Sequence, residues 1–257
     1  MDGVDSNPLF SLIALVSDGK HLLSSTLDSL RAQSERRFEV ILIDALGQGK
    51  IEELAKPYAD LALRIHVSEG ATTSEMMNEG LRLAQGKYIQ FLAPGDRYLS
   101  HEGLAYLSDL VQNNKEPQLV YSGFLMRDSE AVLFPLDRQT LQKGMFSRDS
   151  WFLKQAVVDL GGFDASLSYR SAFELLCRLF LQRGMNAVCS RRILTDSEAK
   201  PPQPRAMMGY ALETYRILYR HFGLWTAVRW VFVQDHLQML GWLGQHLKQA
   251  FWRQEDF

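Results

Sequence analysis

Two hydrophobic rhythms alternate along the first 96 residues. Leu9 to Val16 is an apolar run, with Ser11 its one polar residue, that stops at Ser17-Asp18-Gly19, the pattern of a strand buried on both faces and closed by a turn. From His21 to Gln33, Leu22, Leu23, Leu27 and Leu30 recur at helical spacing. The pair repeats: Phe38 to Ile43 reads as a strand ending on Asp44, Ile51 to Tyr58 as a helix, Leu61 to Val67 as a strand and Ser74 to Ala84 as a helix. Tyr88 to Leu92 makes a fourth strand, entering Ala93-Pro94-Gly95-Asp96. Strands alternating with helices predict an α/β fold with a mostly parallel sheet built by right-handed crossovers.

Beyond Asp96 the pattern loosens. His101 to Gln112 reads as a helix, Leu119 to Met126 as a strand and Glu130 to Pro135 as a short extended piece. Ser150 to Leu160 reads as a helix stopped by Gly161-Gly162, Ala172 to Arg183 as a helix stopped by Gly184, and Asn186 to Ile193 as a last strand. Residues 196–204 hold three prolines and predict a linker or lid, dividing a domain at 1–195 from a helical extension at 205–257. In that extension, Ala206 to Phe222 and Trp225 to Trp252 read as two helices. The second mixes tryptophans with Arg229, Lys248 and Arg253, which suits peripheral membrane contact through 225–252 as well as packing on its own domain or in a homo-oligomer. Gln234, Asp235, His236 and Gln238 interrupt it, so it is not a spanning segment.

Parallel sheets bind ligands beyond the carboxyl ends of their strands. Asp18, Asp44 and Asp96 each follow a predicted strand and so gather along that edge, although each is also a favoured residue for capping a following helix. Glu75 stands three residues before Asn78 and shares its helix face.

Composition narrows the partners. The chain has 257 residues, 46% of them hydrophobic, enough to bury a sizeable core in one large domain. A formal charge of −2 argues against a nucleic-acid surface. Cys177 and Cys189 lack zinc-ligand spacing, and with no basic leader in the first residues the expectation is a reducing, cytoplasmic setting, free or at the inner face of the membrane.

Several segments resemble a known family. Met76-Met77-Asn78-Glu79-Gly80 through Ala84-Gln85-Gly86-Lys87-Tyr88-Ile89-Gln90-Phe91-Leu92, closing on Asp96, resembles the central motif of family 2 glycosyltransferases. Pro8 to Gln33 and Phe38 to Asp44 resemble that family's first strands, and Gly161-Gly162-Phe163-Asp164 with Glu174 to Leu179 resembles its acceptor-side signature. The resemblance covers residues 8–193 and implies the GT-A α/β/α sandwich. It implies transfer of a sugar from a nucleoside diphosphate sugar to a hydroxyl of a saccharide or lipid-linked acceptor, usually with inversion, in cell-surface polysaccharide or glycolipid synthesis. Ser17, Asp18, Asp44, Glu75 and Asn78 are then expected at the nucleotide-sugar, Asp96 at Mg²⁺ or Mn²⁺, and Glu174 or Asp164 in catalysis.

The chain departs from the family where charge is expected. Ala93 and Gly95 stand at acidic positions beside Asp96, Ala172 stands at the usual base position, and Met77 and Gly123 replace further polar residues. Two steps along a helix is about 200° of rotation, so Glu174 does not share the face of residue 172. Those losses leave a second reading, a non-catalytic binding or scaffolding protein on the same fold. A third, a nucleotidyltransferase, lacks a phosphate loop, for which Asp44 to Lys50 is too weak a match.

Overall fold

A computed structural model describes residues 7–47, 50–126, 133–182, 184–197 and 204–232. Four parallel strands come first: β1 (Phe10–Val16), β2 (Phe38–Asp44), β3 (Leu63–Val67) and β4 (Tyr88–Leu92). Between them run α1 (Leu23–Arg31), α2 (Lys50–Ala55) and α3 (Thr73–Leu83). Then follow β5 (Arg97–Tyr98), α4 (Gly103–Asn113), β6 (Leu119–Ser122), β7 (Phe124–Met126), α5 (Arg138–Gln142), β8 (Asp149–Leu153) and α6 (Lys154–Asp159). The remaining elements are α7 (Ser171–Leu181), β9 (Ala187–Cys189), β10 (Thr195–Ser197), α8 (Pro204–Phe222) and α9 (Leu224–Trp230).

Seven strands form one sheet in the order β3-β2-β1-β4-β8-β6-β9. Only β8 runs against its neighbours β4 and β6, so the sheet is mostly parallel as the alternation predicts. Alternate residues of the inner strands feed two separate cores. Phe10, Leu12, Ala14 and Val16 face α1, α2 and α4 with Phe38, Val40 and Leu42, whereas Ile13, Ile41 and Ile43 face α3, α6 and α7. This is an α/β/α sandwich. A second, three-stranded sheet, β5-β10-β7, sits beside the end of β4.

Two glycines of the sequence motif are there for contact. A Cβ on Gly86 would fall 2.5 Å from the backbone nitrogen of Ser11, and one on Gly80 would fall 2.6 Å from Ile13 Cγ2. Glu39, buried in β2, accepts from Ser11 Oγ at 2.6 Å and from the amide of Gln85 at 2.6 Å, fixing the turn that leads into β4.

Three expectations need correction. Ser150 to Leu153 is strand, not helix: with Trp151 in one core and Phe152 in the other, both faces are buried, and the helix starts only at Lys154. Leu119 to Met126 is two strands in different sheets, separated at Gly123. Asp196 and Ser197 lie in β10 rather than in a linker. The short elements β5 and α5 had no periodic signal. Residues 130–132 of the extended piece, residues 198–203 of the linker and residues 233–252 of the last helix lie outside the described residues.

Helices α8 and α9 close a third cluster, in which Ile217, Leu218 and Ala227 cover Leu141, Phe173 and Cys177. Glu213 of α8 accepts from the amides of Ser168, Tyr169 and Arg170 at 2.7, 2.9 and 2.9 Å, neutralising donors that the start of α7 leaves unmatched. Arg170 is buried against the rings of Phe146, Phe173 and Tyr210 and donates to Gly144 O and Tyr210 Oη. No described helix is long and apolar enough to cross a membrane.

Candidate active site

Because β2, β1 and β4 are adjacent and parallel, their carboxyl ends lie within about 10 Å of one another. Asp44 is the last residue of β2 and pairs with Val16 of β1. Ser17 and Asp18 follow β1 on an exposed turn, where Gly19 (φ 59°) approaches Pro94 of the loop after β4. That loop is itself pinned, since the amide of Gly95 donates to Thr26 Oγ1 of α1 at 2.9 Å. The three acids predicted from the strand ends therefore do share one edge.

They differ in what they hold. Asp44 is fully buried; its Oδ1 accepts from the amides of Leu46 at 2.8 Å and Gly47 at 3.4 Å, while Oδ2 has no hydrogen-bond partner among the described residues. A buried carboxylate oxygen without a donor is costly unless a bound group supplies one. Asp96 is the reverse case. Its Oδ1 accepts from Ser197 Oγ at 2.6 Å and Arg148 Nη2 at 3.1 Å, and its Oδ2 from the amide of Ala93 at 2.7 Å and Arg148 Nη2 at 2.9 Å.

Behind Asp96 lies a second acid. Asp149, at the head of β8, accepts from Thr195 Oγ1 at 2.5 Å, Ser122 Oγ at 3.2 Å and Gln90 Nε2 at 3.2 Å. Burial raises its carboxyl to about 7, with Asp96 nearby adding to the shift and the hydrogen bond from Thr195 opposing it. Arg148, Asp149, Thr195 and Ser197 were not visible as site residues in the sequence. They reach Asp96 only through the pairing of β8 with β4 and of β10 with β5 and β7.

The other expected residues are engaged in holding the scaffold. Glu75 forms a capping box with Thr72 at the start of α3, and the hydrogen bonds from Thr72 hold its carboxyl below the usual range. Asn78 donates to Phe163 O at 2.8 Å and accepts from its amide at 2.9 Å, fastening the Gly161-Gly162-Phe163 turn to α3. Glu174, 2% exposed, accepts from Arg178 Nε at 2.7 Å and is paired with His221 Nε2 at 3.0 Å. Burial pushes its carboxyl up, and His221 and Arg178 together outweigh that and hold it below its ordinary value. Asp164 accepts from Ser166 Oγ at 2.6 Å and Arg220 Nη1 at 2.8 Å, which lower its carboxyl to about 2.

A divalent cation at Asp96 was expected from the resemblance, but the residues do not fit one. Its two oxygens already take four hydrogen bonds, two of them from one guanidinium nitrogen, and Ala93 and Gly95 bring no side-chain oxygen. Among the described residues no group of three or more His, Cys, Asp or Glu is placed to hold a metal.

Comparison with known proteins agrees with the architecture. Residues 13–163 match the sequence model of glycosyl transferase family 2. An uncharacterized glycosyltransferase of Rickettsia typhi is 22% identical over 231 residues, covering 84% of this chain and 72% of the relative. A PGL/p-HBAD biosynthesis glycosyltransferase of Mycobacterium tuberculosis is 25% identical over 169 residues, covering 63% of this chain and 65% of its own length. Among solved structures, S. aureus TarS 1-349 in complex with UDP-GlcNAc superposes with a TM-score of 0.65 at 13% identity, over 82% of this chain and 67% of that one. The mannosyltransferase PcManGT of Pyrobaculum calidifontis, in complex with GDP-Man and Mn²⁺, gives 0.62 at 17% identity over 95% and 81%. With the family match spanning more than half of its length and the GT-A layers of a solved mannosyltransferase beneath it, the chain belongs to glycosyl transferase family 2 and is a transferase enzyme.

Proposed function

We propose that the chain transfers a sugar from a nucleoside diphosphate sugar to a hydroxyl of a saccharide or lipid-linked acceptor, with inversion, in the synthesis of a cell-surface polysaccharide or glycolipid. The observation that carries this is Asp44: a buried carboxylate oxygen, unpaired among the described residues, at the carboxyl edge of a parallel sheet. It suits a ring N–H of a nucleobase or a ribose hydroxyl, either of which satisfies an acceptor that folding leaves bare. Ser17 and Asp18, exposed on the neighbouring turn, complete the nucleotide side.

Support for the donor class comes from the solved neighbours, one holding UDP-GlcNAc and the other GDP-Man, and for the product class from the mycobacterial relative named for PGL/p-HBAD biosynthesis. In this reading Glu75, Asn78, Asp164 and Glu174 keep the site's walls in place, because each carboxylate or amide is already matched within the protein. Family membership favours this role over the non-catalytic alternative.

The test is release of nucleoside diphosphate from a panel of UDP-, GDP- and dTDP-sugars with mixed saccharide and lipid-linked acceptors. Acceptor-dependent release that Asp44→Ala reduces by about tenfold or more supports the reading, the size of one lost hydrogen bond to a charged group. Release from no donor in the panel would refute it.

A further inference from the structure

Asp96 poses a problem that the metal-binding reading does not solve: its carboxylate is saturated, and the strongest of its partners is a cation. Arg148 reaches it by register. Gln90 pairs with Trp151 in the antiparallel β4 and β8, and continuing that pairing past Asp149 sets Arg148 beside Ala93, at the same edge as Asp44 and Asp18. Among the described residues the guanidinium is held on one side. Nη2 donates to both oxygens of Asp96 and Nη1 donates to Ser197 Oγ at 2.6 Å, which leaves Nε–H and at least one terminal N–H. The side chain is 36% exposed whereas that of Asp96 is 8% exposed, so the acid lies behind and the cation in front.

We propose that Arg148, not a divalent cation, receives the diphosphate of the donor, and that Asp96 is a positioning residue for it. A planar guanidinium offers paired N–H groups that match two phosphate oxygens, and a cation already fixed by a buried carboxylate needs no rearrangement to do so. This explains together the three features that set the loop apart. Ala93 and Gly95 need carry no charge, because no metal has to be surrounded there. Ser197 and the amide of Ala93 neutralise the lone pairs of Asp96 that Arg148 does not use. The role of β10 is then to bring Ser197 to both partners at once.

The inference rests on the donor reading of this edge and is tested by binding rather than turnover. The full chain is titrated calorimetrically with UDP, GDP and dTDP, and with the matching monophosphates, in EDTA and again in Mn²⁺ or Mg²⁺. Arg148→Met alone would strand a buried carboxylate, so the informative variant is Arg148→Met with Asp96→Asn, alongside Arg148→Lys. The expected result is diphosphate affinity that differs by less than about twofold between EDTA and metal, falls by about tenfold or more in the double variant, and is partly kept by Arg148→Lys. Monophosphate affinity changes much less. Metal-dependent diphosphate binding overturns the inference and leaves the donor reading standing. So does metal-free binding that the double variant, shown to be folded by an unchanged thermal melt, does not weaken. If wild type binds none of the nucleotides under either condition, both readings fail.

Discussion

Asp44 and Asp149 are both buried acids near one sheet edge, and their environments give them different consequences. Asp44 was legible in the sequence, because a strand ending on an acid in a parallel α/β pattern has a predictable position. Asp149 was not, since the chain from Ser150 onward was read as helix and its partners come from β4, β6 and β10. The raised carboxyl of Asp149, about 7 against 3.8 when unfolded, fixes the sign of a pH effect. Between those values the folded chain binds one proton more than the unfolded chain, so this group makes stability fall as pH rises from about 4 to about 7, and level off above. Urea denaturation across that range should show the decline in wild type and a flatter profile in Asp149→Asn; parallel profiles would place the proton elsewhere. Asp164 has the opposite sign, with stability present above its unfolded value and lost as pH falls towards 2.

At the scale of elements, much of the motif that names the family turns out to be packing. Gly80 lets α3 approach Ile13, and Gly86 lets the turn before β4 lie on the backbone of β1. Gly86→Ala forces its new methyl against Ser11 N rather than a flexible side-chain tip, so a loss of about 1–3 kcal/mol is expected from urea denaturation. The same substitution at Gly80 meets the β-branch methyl of the fully buried Ile13, which has little room to turn aside, and should cost a similar amount. The start of α7 gives a second case. Glu213 carries three amides there, and Glu213→Ala should destabilise the fold by about 1–3 kcal/mol, read as an earlier urea midpoint. These contacts were hidden from the sequence because the acceptor and its donors stand more than 40 residues apart. Elements with a repeating period were legible: β4 was read at Tyr88–Leu92 and found there. Those set by tertiary pairing alone, β5, β8 and β10, were not.

For the whole molecule, the layers followed from the βα alternation, whereas the place of the C-terminal helices did not. The sequence of the second, 225–252, suited a membrane surface or packing on the domain; in its described part Ala227 joins α8 over Phe173 and Leu141, while Trp225 is 84% exposed. Removing residues 204–257 would uncover that cluster, and the shortened chain is expected to aggregate or to bind a hydrophobic dye where the full chain does not. Vesicle flotation tests the outer side, with Trp225→Ala reducing any association with anionic lipid. We propose the carboxyl edge of β2, β1 and β4 as a nucleotide site centred on Asp44. Its most direct test is a calorimetric isotherm for UDP, GDP and dTDP on wild type and Asp44→Asn side by side. Saturable one-to-one binding of at least one nucleotide is expected, weakened by about tenfold in the variant at unchanged thermal stability. Equal binding by the two proteins, or binding by neither, would contradict it.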